Sequence, residues 1–196
     1  MKVYDISQEV LGCEVYPGDP APKLERLKSM NDGEVYNLSA LYMSAHNGTH
    51  ADAPGHFFKD GATVDCLPAE TFVGMCFVAE HNGEVKAPDA EMIMEKARKL
   101  GAAERILIKG DAVVTAEAAE IFARAGLRLI GNESQSVGPE DAPMAVHKIL
   151  LGAGTALLEG VRLGEVSEGA YLLSAAPLNI AGAEGAPCRA VLIELE

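Results

Sequence analysis

Ser44-Ala45-His46-Asn47-Gly48-Thr49-His50-Ala51-Asp52-Ala53-Pro54-Gly55-His56-Phe57 holds three of the chain's five histidines and an aspartate, spaced His-x3-His-x-Asp-x3-His. Neutral imidazole and carboxylate are common ligands of divalent transition ions such as zinc and manganese. His46 and His50 stand four apart, a spacing that would share one helix face. Gly48, Pro54 and Gly55 interrupt a helix there, however, and Thr49 is β-branched. A short strand or tight loop fits better. On an extended segment His50 and Asp52 point the same way, because side chains alternate with period two. A turn through Gly48 then lets His46 join them, and glycine lets backbone approach an ion closely. Without an ion the stretch is an ordinary polar loop. Three histidines and an aspartate in so short a window favour the metal reading.

Composition sets the frame around this stretch. The 196 residues suffice for one domain or a compact pair of lobes with a substantial core, and 48% of them are hydrophobic. The formal net charge of −13 argues against nucleic acid and anionic membrane surfaces as partners, since both are bound through lysine and arginine. Met1-Lys2 leads straight into Val3-Tyr4-Asp5-Ile6, which has neither the basic start nor the apolar run of a secretory signal. No apolar run has the length of a membrane span. The expected setting is the cytoplasm. Cys13, Cys66, Cys76 and Cys188 form no Cys-x-x-Cys pair and read as free thiols in a reducing compartment.

Along the chain, strands are expected over 3–7, 36–44, 72–80, 106–108, 127–131, 156–158, 170–173 and 190–193. Helices are expected from Pro88 to about Leu100, from a Thr115 cap to Gly126, and from Glu140-Asp141-Ala142-Pro143 through Leu151. Tyr16-Pro17-Gly18-Asp19-Pro20 is a turn, either a pocket edge or plain surface. Phe57 and Phe58 either wall a pocket beside the ligands or sit in the core beneath them. The first third reads as mostly β and the remainder alternates helix and strand, which gives an α/β protein with a largely central sheet. His81 adjoins an Asn82-Gly83 turn and stays outside the candidate site. Taken alone, His147 reads as a helix-surface residue and Glu159 as a solvated strand end.

His46, Gly48, Thr49, His50, Asp52, Pro54 and His56 fill every fixed position of His-x-Gly-Thr-His-x-Asp-x-Pro-x-His. The pattern resembles the signature of the cyclase-like metal-dependent hydrolases, which include bacterial kynurenine formamidase and isatin hydrolase. The resemblance extends to the closing segment, Ala176-Pro177-Leu178 to Gly185-Ala186-Pro187-Cys188-Arg189-Ala190. It implies a single domain over 1–196 of the swivelling β/β/α type, with the metal site at one edge. It also gives His147 and Glu159 a role, since relatives place a helix histidine and a strand-end glutamate at this separation. In formamidases the implied arrangement is two ions. One lies on His46, His50 and Asp52 and the other on Asp52, His147 and Glu159, with the aspartate shared. Isatin hydrolase-like members hold one ion on the first set. Zinc is the expected ion and manganese the alternative. His56 is implied as the proton-transfer group, with Glu159 the next candidate; the alternatives for His56 are a fourth ligand or a support for Asp52. A homo-oligomer acting on a small molecule is also implied.

The implied activity is hydrolysis of an amide, formamide or cyclic amide by a metal-activated water, whose pKa falls to about 7 on a divalent ion. A lyase or cyclase on the same ion, and a binding protein without catalysis, are the competing readings. The chain departs from the family at Gly131-Asn132-Glu133-Ser134-Gln135-Ser136-Val137-Gly138, where relatives carry Gly-Ile-Asp-x-x-Ser-Val-Asp. It also lacks an aromatic-bearing loop after Ile108. With no tryptophan and 5% aromatic residues, few rings remain to stack on an aryl substrate, which counts against N-formylkynurenine but not against the hydrolase class.

Overall fold

A computed structural model describes residues 1–195. Strands β1 (Lys2–Asp5), β2 (Lys23–Lys28), β3 (Leu38–Tyr42) and β4 (His50–Asp52) come first. The middle of the chain gives β5 (Val73–Glu80), β6 (Gly83–Val85), helix α1 (Ala87–Lys99), β7 (Arg105–Lys109), β8 (Ala112–Val114), α2 (Ala116–Ala125) and β9 (Leu129–Asn132). The last part gives α3 (Met144–Gly152), β10 (Ala156–Glu159), β11 (Gly169–Ser174), β12 (Gly185–Pro187) and β13 (Val191–Glu194). Nine strands form one sheet in the order β1-β13-β11-β5-β7-β9-β10-β4-β12. Its centre, β5-β7-β9-β10, is parallel, and α1, α2 and α3 are the successive crossovers. Antiparallel strands flank it on both sides.

Both faces of the sheet are buried, as the apolar runs of its central strands require. Ile106, Ile108, Ile130 and Leu157 point into a cluster with the helices, where Phe122 of α2 and Leu150 of α3 are fully buried. The alternate residues Leu107, Leu129 and Leu158 point the other way. There the sheet curls, so that Ala51 of β4 and Leu192 of β13 share one cluster. The α/β class and the central sheet are thus as expected.

The caps follow the local chemistry. Thr115 Oγ1 accepts from the Ala118 N–H at 3.3 Å, and Gly126 closes α2 in the left-handed region at φ 72°. Asp89 Oδ2 accepts from the Lys86 N–H at 3.0 Å at the start of α1. The third helix begins at Met144 rather than at Glu140. Ala142 precedes a proline, which disfavours helical backbone, and its N–H closes a turn on Pro139 O. Strand β9 begins at Leu129 rather than Leu127 because the Arg128 and Leu129 N–H groups both turn to Glu104 O. Four strands escaped the sequence reading. β2 is an exposed polar run, β6 and β8 are a three-residue parallel pair, and β12 is the edge strand Gly-Ala-Pro. Proline and glycine are depleted from strand interiors, and an edge is where a strand tolerates them.

Candidate metal centre

The site forms where the parallel strands end, the edge at which open α/β sheets receive ligands. Strand β4 lies between β10 and β12, with His50 opposite Glu159 and Asp52 opposite Gly185. Directly opposed residues share a face, so His50, Asp52 and Glu159 converge on one side. Before β4 the chain turns at Gly48, φ +69°, which carries His46 to the same side. This turn is anchored. Thr49 Oγ1 donates to Gly160 O at 2.8 Å, and Asn47 Oδ1 accepts from the Ser44 N–H at 2.8 Å. A 3-10 turn over Pro54–His56 then delivers His56. From the far side, His147 enters from the fourth position of α3, close to where β9 and β10 end. All six candidate residues thus meet. His147 is 3% and Glu159 3% exposed, so neither is the surface residue it resembles in isolation. His81 lies apart, its Nε2 against Glu84 O at 3.0 Å.

Asp52 is fully buried at the centre and presents its two oxygens to different partners. Oδ1 is 2.8 Å from His46 Nδ1 and 3.5 Å from His50 Nε2; Oδ2 is 3.7 Å from His147 Nε2 and 3.9 Å from His56 Nε2. His50 Nε2 is also 3.4 Å from Glu159 Oε2, and His147 Nε2 is 3.2 Å from Glu159 Oε1. The Nδ1–H of His50 is directed to Gly48 O and that of His147 to Pro143 O, each at 3.0 Å. Both rings therefore turn Nε2 toward carboxylate oxygens, a contact that is satisfied by a proton on that nitrogen or by a cation between the groups. Two sets of donor atoms, His46–His50–Asp52 and Asp52–His147–Glu159, each lie within 4.8 Å of one another.

The residues fit a divalent ion on a further ground. Asp52 Oδ2 is buried and has no hydrogen-bond partner among the described residues. An orphaned buried carboxylate oxygen is costly unless a cation satisfies it.

Electrostatics point the same way. Burial disfavours charge on His46, but Asp52 and Glu184 outweigh it and raise its pKa to about 9. His50 and His147 are likewise raised, by Glu159 and Asp52 against burial. Asp52 stays below the usual carboxylate range despite its burial, held there by the surrounding histidines. Glu159 is lowered too, against burial and the Asp52 charge, by His147 and His50. His56 differs: burial lowers its pKa. It belongs to neither donor set, and its ring lies 4.3 Å from that of His46 and 4.6 Å from Phe57.

A cavity of about 280 Å³ opens onto these groups, lined among others by Tyr16, Asp19, His56, Phe57, Gln135 and Ser136. The Tyr16–Asp19 turn is thus a pocket edge. Phe57 is a pocket wall, with its ring 4.9 Å from that of His147, while Phe58 packs on the core beside Gly152. The altered 131–138 segment is fully engaged. Glu133 accepts from the Gly110 and Leu163 N–H groups, and the Val137 N–H donates to Glu159 Oε1 at 2.8 Å. A Cβ at Gly138 would lie 2.9 Å from Val146 Cβ, so this glycine lets α3 pack closely. Sequence reasoning missed Glu184, whose Oε1 is 3.2 Å from His46 Nε2. Its only signal was its place beside Gly185-Ala186-Pro187.

Residues 4–139 match the Cyclase family model, described as "Putative cyclase". The chain belongs to the cyclase family. It is 33% identical to the kynurenine formamidase of Erythrobacter litoralis over 99% of this chain and 94% of that protein. Among solved structures it is similar to a "predicted metal-dependent hydrolase from Bacillus stearothermophilus", with TM-score 0.79, 29% identity and 97% of each chain covered. Isatin hydrolase A from Labrenzia aggregata shares the fold at TM-score 0.84 and 23% identity, covering 100% of this chain and 94% of that one. The family match, residues 4–139, includes the altered 131–138 segment, and the likeness to the formamidase covers 99% of this chain.

Proposed function

We propose that this cyclase-family chain is a metal-dependent hydrolase of non-peptide C–N bonds, opening an amide, formamide or cyclic amide of a small molecule. The observation that carries the reading is the buried, unpartnered Asp52 Oδ2 between two donor sets. His46, His50 and Asp52 hold one divalent ion in this reading; Asp52, His147 and Glu159 hold the second. Three imidazoles and two carboxylates without a thiolate suit zinc, with manganese the alternative. When bound, the ion supplies an acidified water and polarises a carbonyl oxygen.

The residues of the chain do the rest. Asp52, held ionised, would be the ligand common to both sets. Glu159 is held ionised and takes Val137 N–H and both buried histidines around it, which suits a ligand better than an acid. His56 lines the cavity, lies outside both sets, and keeps a lowered pKa, so near neutral pH it is free to take a proton and pass it to the departing nitrogen. Tyr16 and Phe57 supply the apolar walls. The likeness to kynurenine formamidase supports the formamide class; the two rings at this cavity suit a small or compact substrate.

We also propose one domain over 1–196, a homo-oligomer and a cytoplasmic setting. The exposed Leu24, Tyr36, Leu41 and Tyr42 on the β2–β3 hairpin support the second, and four unbridged cysteines suit the third. The test of activity is a panel of formanilides, cyclic imides and isatin-like lactams, assayed with zinc- or manganese-loaded protein. Hydrolysis of at least one class, lost on chelation and restored by the ion, is expected. Turnover that survives chelation contradicts the reading.

A further inference from the structure

We propose that Glu184 is a positioning residue that sets which nitrogen of His46 faces the ion site; this rests on the reading of His46, His50 and Asp52 as an ion-binding set. The three histidines of the two donor sets are oriented in different ways. His50 and His147 each direct Nδ1–H to a backbone carbonyl and turn Nε2 inward. His46 is reversed: Nδ1 faces Asp52 Oδ1 at 2.8 Å, and Nε2 faces Glu184 Oε1 at 3.2 Å. A neutral imidazole carries one proton, and an ionised carboxylate can only accept. For Nδ1 to serve as a ligand the proton must sit on Nε2, and Glu184 is the acceptor that holds it there.

The backbone around Glu184 is arranged for this contact. Glu184 O accepts from the Ala53 N–H at 2.8 Å, which ties the residue to the end of β4. The next residue, Gly185, pairs with Asp52. A Cβ on Gly185 would lie 2.7 Å from His46 Cε1, so a glycine at this position is what allows the imidazole to lie against β12. One short segment therefore makes room for the ring and supplies its acceptor. A carboxylate on the outer nitrogen of a metal-binding histidine fixes its tautomer and orientation, and its loss costs about 10–100-fold in metal affinity. The Glu184 side chain is 46% exposed, so its charge is shared with solvent and the low end of that range applies.

The experiment uses the full chain in a His147→Ala background, which leaves the His46–His50–Asp52 set intact. Zinc affinity is measured by competition with a chromophoric chelator, and melting of the ion-free protein is followed in parallel. Glu184→Ala should weaken zinc binding about tenfold, while the ion-free melting temperature, compared above pH 9 where His46 is neutral, stays unchanged. Glu184→Gln, whose amide oxygen still accepts from Nε2–H, should recover part of the loss. Glu184→Ala binding within twofold of its parent overturns the inference alone. A Glu184→Ala protein whose ion-free form melts well below its parent even above pH 9 assigns the residue a structural role and overturns it too. A parent protein that takes up no zinc, in this background and in the unmodified chain, overturns the ion-site reading and the inference together.

Discussion

His46, His50 and Asp52 reach the site along seven residues of chain, whereas His147 and Glu159 come from the start of α3 and the end of β10. The first group is set by local geometry. A glycine turn, a period-two strand and pairing on both sides of β4 leave these side chains little choice. The second is set by packing, since His147 and Glu159 meet only because β9 and β10 are parallel neighbours with α3 crossing between them. What joins the two is one buried carboxylate, with Oδ1 toward the first group and Oδ2 toward the second. The difference teaches that a compact motif supplies half of such a site, and the sheet topology supplies the other half.

The substitution that should break both halves at once is Asp52→Ala. Ion content should fall to background, and hydrolysis with it, because each donor set loses its shared member. Elemental analysis and the substrate panel check this, and a variant that retains either ion and full turnover would separate the halves. Next in size is His56→Ala, which touches neither set. Its ion content should match wild type, while turnover falls on the order of 10²–10⁴-fold, the usual contribution of a positioned acid or base. The deficit should shrink for activated anilides, which need less protonation on leaving. Loss of the ion in this variant would make His56 a ligand.

A smaller effect concerns the ion-free protein. The pKa of His46 is raised from 6.5 to about 9, so this group contributes stability that is fully present below pH 6.5 and lost as pH rises through about 9. His50 and His147 are shifted in the same direction. The ion-free protein should therefore melt progressively lower between those limits. Zinc, which needs the neutral imidazole, should bind more tightly over the same interval and release protons as it does so. Melting curves and proton release in weakly buffered solution are the measurements; a flat pH response would show that the first half is not proton-loaded.

Legibility followed the same division. The first half could be read from residue spacing, because its candidate donors lie on one short segment whose glycines and proline exclude a helix. The caps of α2, Thr115 and Gly126, were equally plain. The second half was not readable from residues alone. A histidine in an apolar helix and a glutamate ending a strand look ordinary until the parallel register is known, and the family resemblance was needed to pair them. Glu184 lies 138 residues from the histidine it touches. Its neighbour strand, Gly185–Pro187, has the composition of a loop and becomes a strand only because β4 offers it an edge. The start of α3 shifted to Met144 because Pro143 acts on the residue before it.

The central claim is that Asp52 joins two ion sites, and counting bound ions in the wild type and in His147→Ala tests it most directly. Purified protein, loaded with zinc and passed through a desalting column, should carry two ions per chain, and the His147→Ala protein one. A wild-type chain that carries a single ion unaffected by His147→Ala, or none, would contradict the account.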